Sequence, residues 1–159
     1  MYTESLKEIT SVDGRRVVIE EVLTPNGFVS PFNGDVYVAM LWACDDTFNA
    51  DGRIEVATAL IRSGCRYIVC GGVNCEAWHD YADLAWVNLD LLPGSSGETP
   101  AVMTSWHANE SEKDVIWFAF NCTSFEEHDF RKFLFVLVGH DPLTQTRIEG
   151  LIQAAFSPN

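Results

Sequence analysis

RYIVCGGVNC, residues Arg66–Cys75, runs from a β-favouring apolar segment into two glycines and then an asparagine. Directly after it, Trp78, Tyr81, Ala82, Ala85 and Trp86 fall at helical spacing. This pattern predicts a short buried strand over 66–70, a tight turn, and a helix that opens at Asn74 as N-cap. Upstream, DVYVAMLWA predicts a core strand over 36–43. A helix over 49–63 follows, with Ile54, Ala57, Leu60 and Ile61 on its apolar face and Gly64 as its stop. Downstream, AVMTS predicts a strand over 102–105, and Asn109 with Glu112 has the spacing of a capping box before the apolar run 115–120. KFLFVLVGH predicts the strongest strand, over 133–139, and Asp141-Pro142 supplies a cap and first turn for a helix over 143–156.

Near-continuous apolar strands that alternate with helices indicate a sheet covered on both faces. The expected fold is therefore a single α/β domain over residues 1–159. It is three-layered and Rossmann-like or flavodoxin-like, with a mainly parallel sheet of four to five strands and helices on both faces. Residues 1–34 are expected as an N-terminal extension, in which Asp13-Gly14 makes a hairpin or interrupts one strand.

Length and composition agree with one ordered domain, since 159 residues at 47% hydrophobic can bury a core without staples. No apolar run approaches a membrane span, and the start at Met1 lacks a basic flank and apolar region, so a cytoplasmic location is expected. Five cysteines without an export signal predict free thiols. Cys65, Cys70 and Cys75 recur every five residues, which is not zinc-ligand spacing; they are expected as small buried hydrophobes, with no metal and no cofactor.

The formal net charge is −13, and between Glu76 and Phe130 eleven carboxylates face Lys113 alone. A surface of that sign repels nucleic acid and anionic membrane, so neither is an expected partner. It attracts a basic protein, although charge that serves only solubility is the competing explanation. Expected partner-binding residues are Trp78, Asp80, Asp83, Trp106, Glu110, Glu112, Asp114, Glu126 and Glu127. Tryptophans at helical spacing also serve as core anchors, and pairing of two copies is a further expectation.

In open α/β sheets, ligands bind beyond the carboxyl ends of strands. That rule groups Asp45, Cys70, His107, His140 and Asp141 as candidate acid/base or thiol groups, and Gly71, Gly72 and Asn74 as a candidate anion cradle. Neither G-x-G-x-x-G nor G-x-x-x-x-G-K-[ST] is present, nor are G-x-S-x-G and H-E-x-x-H. The glycines can equally serve a tight turn, and the aspartates a cap and a loop.

MTSWHANESEKDVIWF, Met103–Phe118, resembles a segment of small bacterial proteins of unknown function and covers about a tenth of the chain. The resemblance implies a Rossmann-like domain and no activity. The expected function is a non-catalytic protein-binding domain, such as an immunity-type inhibitor of a basic toxin or nuclease. The alternative is a small-molecule-binding or hydrolytic domain that uses the Cys/His/Asp cluster at the strand ends.

Overall fold

A computed structural model describes residues 5–10, 13–26, 28–95 and 97–156. Strands β1 (Ser5–Thr10), β2 (Arg16–Val22), β3 (Tyr37–Ala43), β4 (Cys65–Gly72), β5 (Met103–His107) and β6 (Lys132–Val138) form one sheet in the order β1-β2-β6-β3-β4-β5. Among the described residues, only the β1–β2 pairing is antiparallel. Helices α1 (Ala50–Ser63), α2 (Cys75–Asp90), α3 (Glu112–Asn121) and α4 (Pro142–Phe156) complete the α/β fold. Among the described residues, no helix is long and apolar enough to cross a membrane.

The four strands expected from the apolar runs lie within two residues of their predicted positions. The sheet is nevertheless larger, because the β1–β2 hairpin joins it and β2 pairs in parallel with β6 along its length. Within the expected N-terminal segment, the hairpin is formed by β1 and β2, and it belongs to the sheet.

Period-two alternation sends the strand side chains to two cores. Ala39, Leu41, Ile68 and Cys70 pack with Val56, Leu60 and Trp78 from α1 and α2. Val38, Met40, Trp42 and Val69 pack with Val115, Ala119, Ile148 and Ile152 from α3 and α4. Each fully buried aliphatic side chain such as Leu60 contributes about 1.5–3 kcal/mol. Glu20 on β2 is also wholly buried, in the layer of Val18 and Val22, beside the Tyr37 phenol.

Two helix starts differ from expectation. Ser111, not Asn109, caps α3 by accepting from the Asp114 amide at 3.1 Å, and Asn109 turns the chain at φ 61. Asn74 precedes α2 as expected, yet it is left-handed at φ 54 and its side chain makes no cap bond. By contrast, Asp141 caps α4 as predicted, accepting from the Leu143 and Thr144 amides, and Gly64 ends α1 at φ 119.

The chain steps from β3 through α1, β4 and α2 to β5, then returns by α3 to place β6 on the other side of β3. Strands β5-β4-β3-β6 thus follow a 3-2-1-4 order, with the reversal between β3 and β6. From the carboxyl end of β3 the chain leaves toward the α1 layer, and from β6 toward the α4 layer.

Candidate functional site

Where β3 and β6 diverge, the segment Cys44–Asp46 lies beside Gly139 and His140, with Cys44 donating its amide to the Val138 carbonyl at 2.8 Å. Asp45 accepts from the Thr47 amide at 3.1 Å, the Thr47 hydroxyl at 2.7 Å and the His140 amide at 3.4 Å. A Cβ on Gly139 would sit 2.5 Å from an Asp45 carboxylate oxygen, so glycine is what admits the carboxylate. Burial opposes the Asp45 charge, but these hydrogen bonds outweigh it and hold the carboxyl below its ordinary range. Asp141 is likewise lowered, chiefly by the Thr144 hydroxyl. Both are therefore anions at neutral pH and unsuited to donate a proton. Cys44 is pushed up to about 12 by burial and then by the charges of Asp141 and Asp45, so it remains a thiol. His140 is exposed and lies 3.2 Å from Glu21 at the end of β2.

Asp46 ties the neighbouring loop by accepting from Arg53 at 2.6 Å and from Asn74 at 3.4 Å. This accounts for the uncapped Asn74 side chain, which points to Asp46 rather than to its own helix. Arg53 lies over the rings of Trp78 and Tyr81.

Gly71 and Gly72 are close-packing positions. A Cβ on Gly71 would meet the Trp42 ring at 2.7 Å, and one on Gly72, at φ +85, would meet the Ala43 carbonyl oxygen at 2.3 Å. Packing alone requires both glycines, without any anion.

The structure does not gather Cys70, His107 and His140. Cys70 is fully buried in the α1/α2 core, and burial raises its thiol far above the ordinary value. His107 ends β5, whereas His140 follows β6, with β3 and β4 between them. Three strand spacings amount to roughly 14 Å, beyond shared proton transfer.

His107 instead belongs to a relay absent from the sequence-based candidates. Its Nε2 is 3.0 Å from the Ser105 hydroxyl and its Nδ1 is 2.9 Å from a Glu110 carboxylate oxygen, while its ring packs on Phe118 at 4.3 Å. The Tyr67 phenol lies beside the Ser105 hydroxyl, and burial raises it above its ordinary value. With Nδ1–H donating to Glu110, Nε2 can accept from Ser105, the arrangement of a hydroxyl–imidazole–carboxylate triad. The signal in the sequence was the i, i+2 placement of Ser105 and His107 on one face of a strand. Nothing in the sequence marked which carboxylate would close it. Among the described residues, no group of three His, Cys, Asp or Glu side chains is arranged to hold a metal ion.

The expected partner-binding residues divide. Trp78 is 2% exposed and is a core anchor, in contact with Phe48. Trp106 is 47% exposed on the edge strand β5, with its ring 4.5 Å from that of His79 on α2. Asp80 and Asp83 are exposed beside it; Asp80 pairs with His79, and Asp83 accepts from Thr104 at 2.7 Å. Glu110 serves His107, and Glu112 is turned to Arg147 in a two-pronged ion pair. Asp114 is exposed in the first turn of α3. Glu126 (φ 52) and Glu127 lie in the loop after α3, where Phe125 packs edge-on to Tyr67 near the start of β4, so they sit toward the opposite end of the strands.

A family model described as Domain of unknown function (DUF7684) matches residues 20–155, and the chain belongs to that family. The match includes the Met103–Phe118 segment and all the strand ends described above. No curated protein matches the chain.

Proposed function

We propose that the chain is a non-catalytic protein-binding domain that presents the β5 edge and the adjoining side of α2 to a basic partner. The observation that carries this reading is Trp106: a large aromatic half exposed on an edge strand, packed at a tilt against His79 and flanked by Asp80 and Asp83. An exposed aromatic within a charged rim is the composition of a binding hot spot. The −13 net charge steers a cationic surface toward it. An inhibitor that covers a basic toxin or nuclease surface is the form of this function that fits best. A reducing, cytoplasmic setting suits five free thiols.

The test uses a basic partner recovered on the immobilised chain. Replacing Asp80, Asp83 and Asp114 by lysine should lower the association rate at low salt by about tenfold or more, with the difference shrinking at physiological salt. Trp106→Ala should leave the association rate nearly intact and speed dissociation by about tenfold or more. An unchanged association rate in a folded triple variant would leave the charge as a solubility feature.

The Ser105–His107–Glu110 relay favours a second reading, hydrolysis of an activated ester. Labelling of Ser105 by a fluorophosphonate, abolished in His107→Gln, would support it over the binding reading.

A further inference from the structure

A second feature lies on the opposite side of the sheet from Trp106, in the α3/α4 layer, and is independent of the binding reading. A groove of about 470 Å³ runs between α3 and α4. Its volume falls in the range of about 300–1,000 Å³ typical of small-molecule sites. One wall is Trp117, 61% exposed, which shares a helix face with Lys113 at i−4. Across from it α4 offers Ala155, whose short side chain leaves the groove open. Phe120 and Phe156, with ring centroids 4.9 Å apart, close the lower end, and the Arg15 guanidinium lies over both rings.

The charge pattern here is the reverse of the rest of the chain. Lys113 is the sole lysine or arginine between Glu76 and Phe130. Nearby carboxylates that could neutralise it are engaged: Glu110 with His107, Glu112 with Arg147, and Glu149 on α4 with Lys7. Asp114 is exposed in the same turn. No ion pair is formed by Lys113 among the described residues. The second cation lining the trough, Arg15, pairs with Asp13 and covers the Phe120 and Phe156 rings at the lower end, which leaves Lys113 as the cation for a ligand with an anionic head and an apolar tail. From Lys113 to the end of α3 is eight residues, about 12 Å of helix, roughly the reach of an extended chain of eight to ten carbons.

We propose that the α3/α4 groove binds a single-chain carboxylate, with its head on Lys113 and its tail laid between Trp117 and Ala155 toward Phe120. The probe is decanoate, used well below its micellar range and followed by tryptophan emission and by calorimetry. Decanoate should bind saturably at one site per chain, decanol and butyrate at least about tenfold more weakly, and decylamine not measurably. Ala155→Phe fills the trough on an exposed helix position and should abolish binding. Lys113→Glu should weaken decanoate about tenfold or more while leaving decanol unchanged. Both variants should melt within a few degrees of the parent, which separates loss of the site from loss of the fold. Absence of saturable decanoate binding would overturn the proposal. So would binding that survives Ala155→Phe, equal binding of decylamine, or a parent dimer that Ala155→Phe dissociates, since a second copy would then occupy the groove.

Discussion

Replacing Gly72 by alanine tests whether the Gly71-Gly72 step is a packing device or a ligand cradle. Gly72 has φ +85, and its added Cβ would lie 2.3 Å from the Ala43 carbonyl oxygen and 2.8 Å from the Ala43 nitrogen. Gly94 has the same φ, +85, with nothing within 4 Å. Gly94→Ala therefore measures the backbone cost alone, about 1–2 kcal/mol. Gly72→Ala adds the work of parting β3 from β4, about 1–3 kcal/mol, for a total of about 2–5 kcal/mol. The Ala43 carbonyl cannot swing aside freely, because it accepts the Val73 amide at 2.9 Å. Urea denaturation at a common slope reads the difference directly. In thermal melts a chain of this size loses about 2–4 °C per kcal/mol, so Gly72→Ala should fall by about 4–20 °C and Gly94→Ala by about 2–8 °C. Gly71→Ala should lie between, since its Cβ meets the Trp42 ring, a side chain with some freedom to yield. A Gly72→Ala protein no less stable than Gly94→Ala would refute the packing argument and return the loop to a ligand-binding role.

Trp78 and Trp106 should respond in opposite ways: Trp78→Ala should cost about 3–5 kcal/mol of stability and Trp106→Ala less than about 1, measured by the same denaturation. In the native protein Cys122, the one exposed thiol, should react with a disulfide reagent at pH 8 within minutes, and the other four thiols should appear only after denaturation. Fast reaction of Cys44 would contradict its upward shift to about 12. Asp45 and Asp141 have folded values below their unfolded ones, so the stability they confer is present above the unfolded carboxylate range near 3.9 and is lost as pH falls through the folded values. Asp45→Asn should therefore flatten the acid limb of the stability–pH curve, and an unchanged limb would show that the Thr47 and His140 contacts are weak.

The four core strands and their helices were legible in the sequence because each is a local pattern: an apolar run of strand length, then apolar residues at helical spacing, then a cap or a glycine. Asp141 and Gly64 acted as read, since a cap and a left-handed stop depend on a few neighbouring residues. The chain also determined by itself that its net charge is −13 and that carboxylates dominate residues 76–130. Which of those residues share a surface was a tertiary matter. Strand order places β5 at an edge and β6 beside β3, and this separates His107 from His140, buries Cys70 and Trp78, and leaves Trp106 at the surface. Packing of α3 beside α4 turns Glu112 toward Arg147, whereas Ser105, His107 and Glu110 meet locally, along β5 and through the turn at Asn109. Sequence periodicity specifies the face of an element on which a residue lies. Neighbours across elements follow from the topology, which sets Arg16 of β2 beside Lys132 of β6 and packs α1 with α2 on one layer and α3 with α4 on the other.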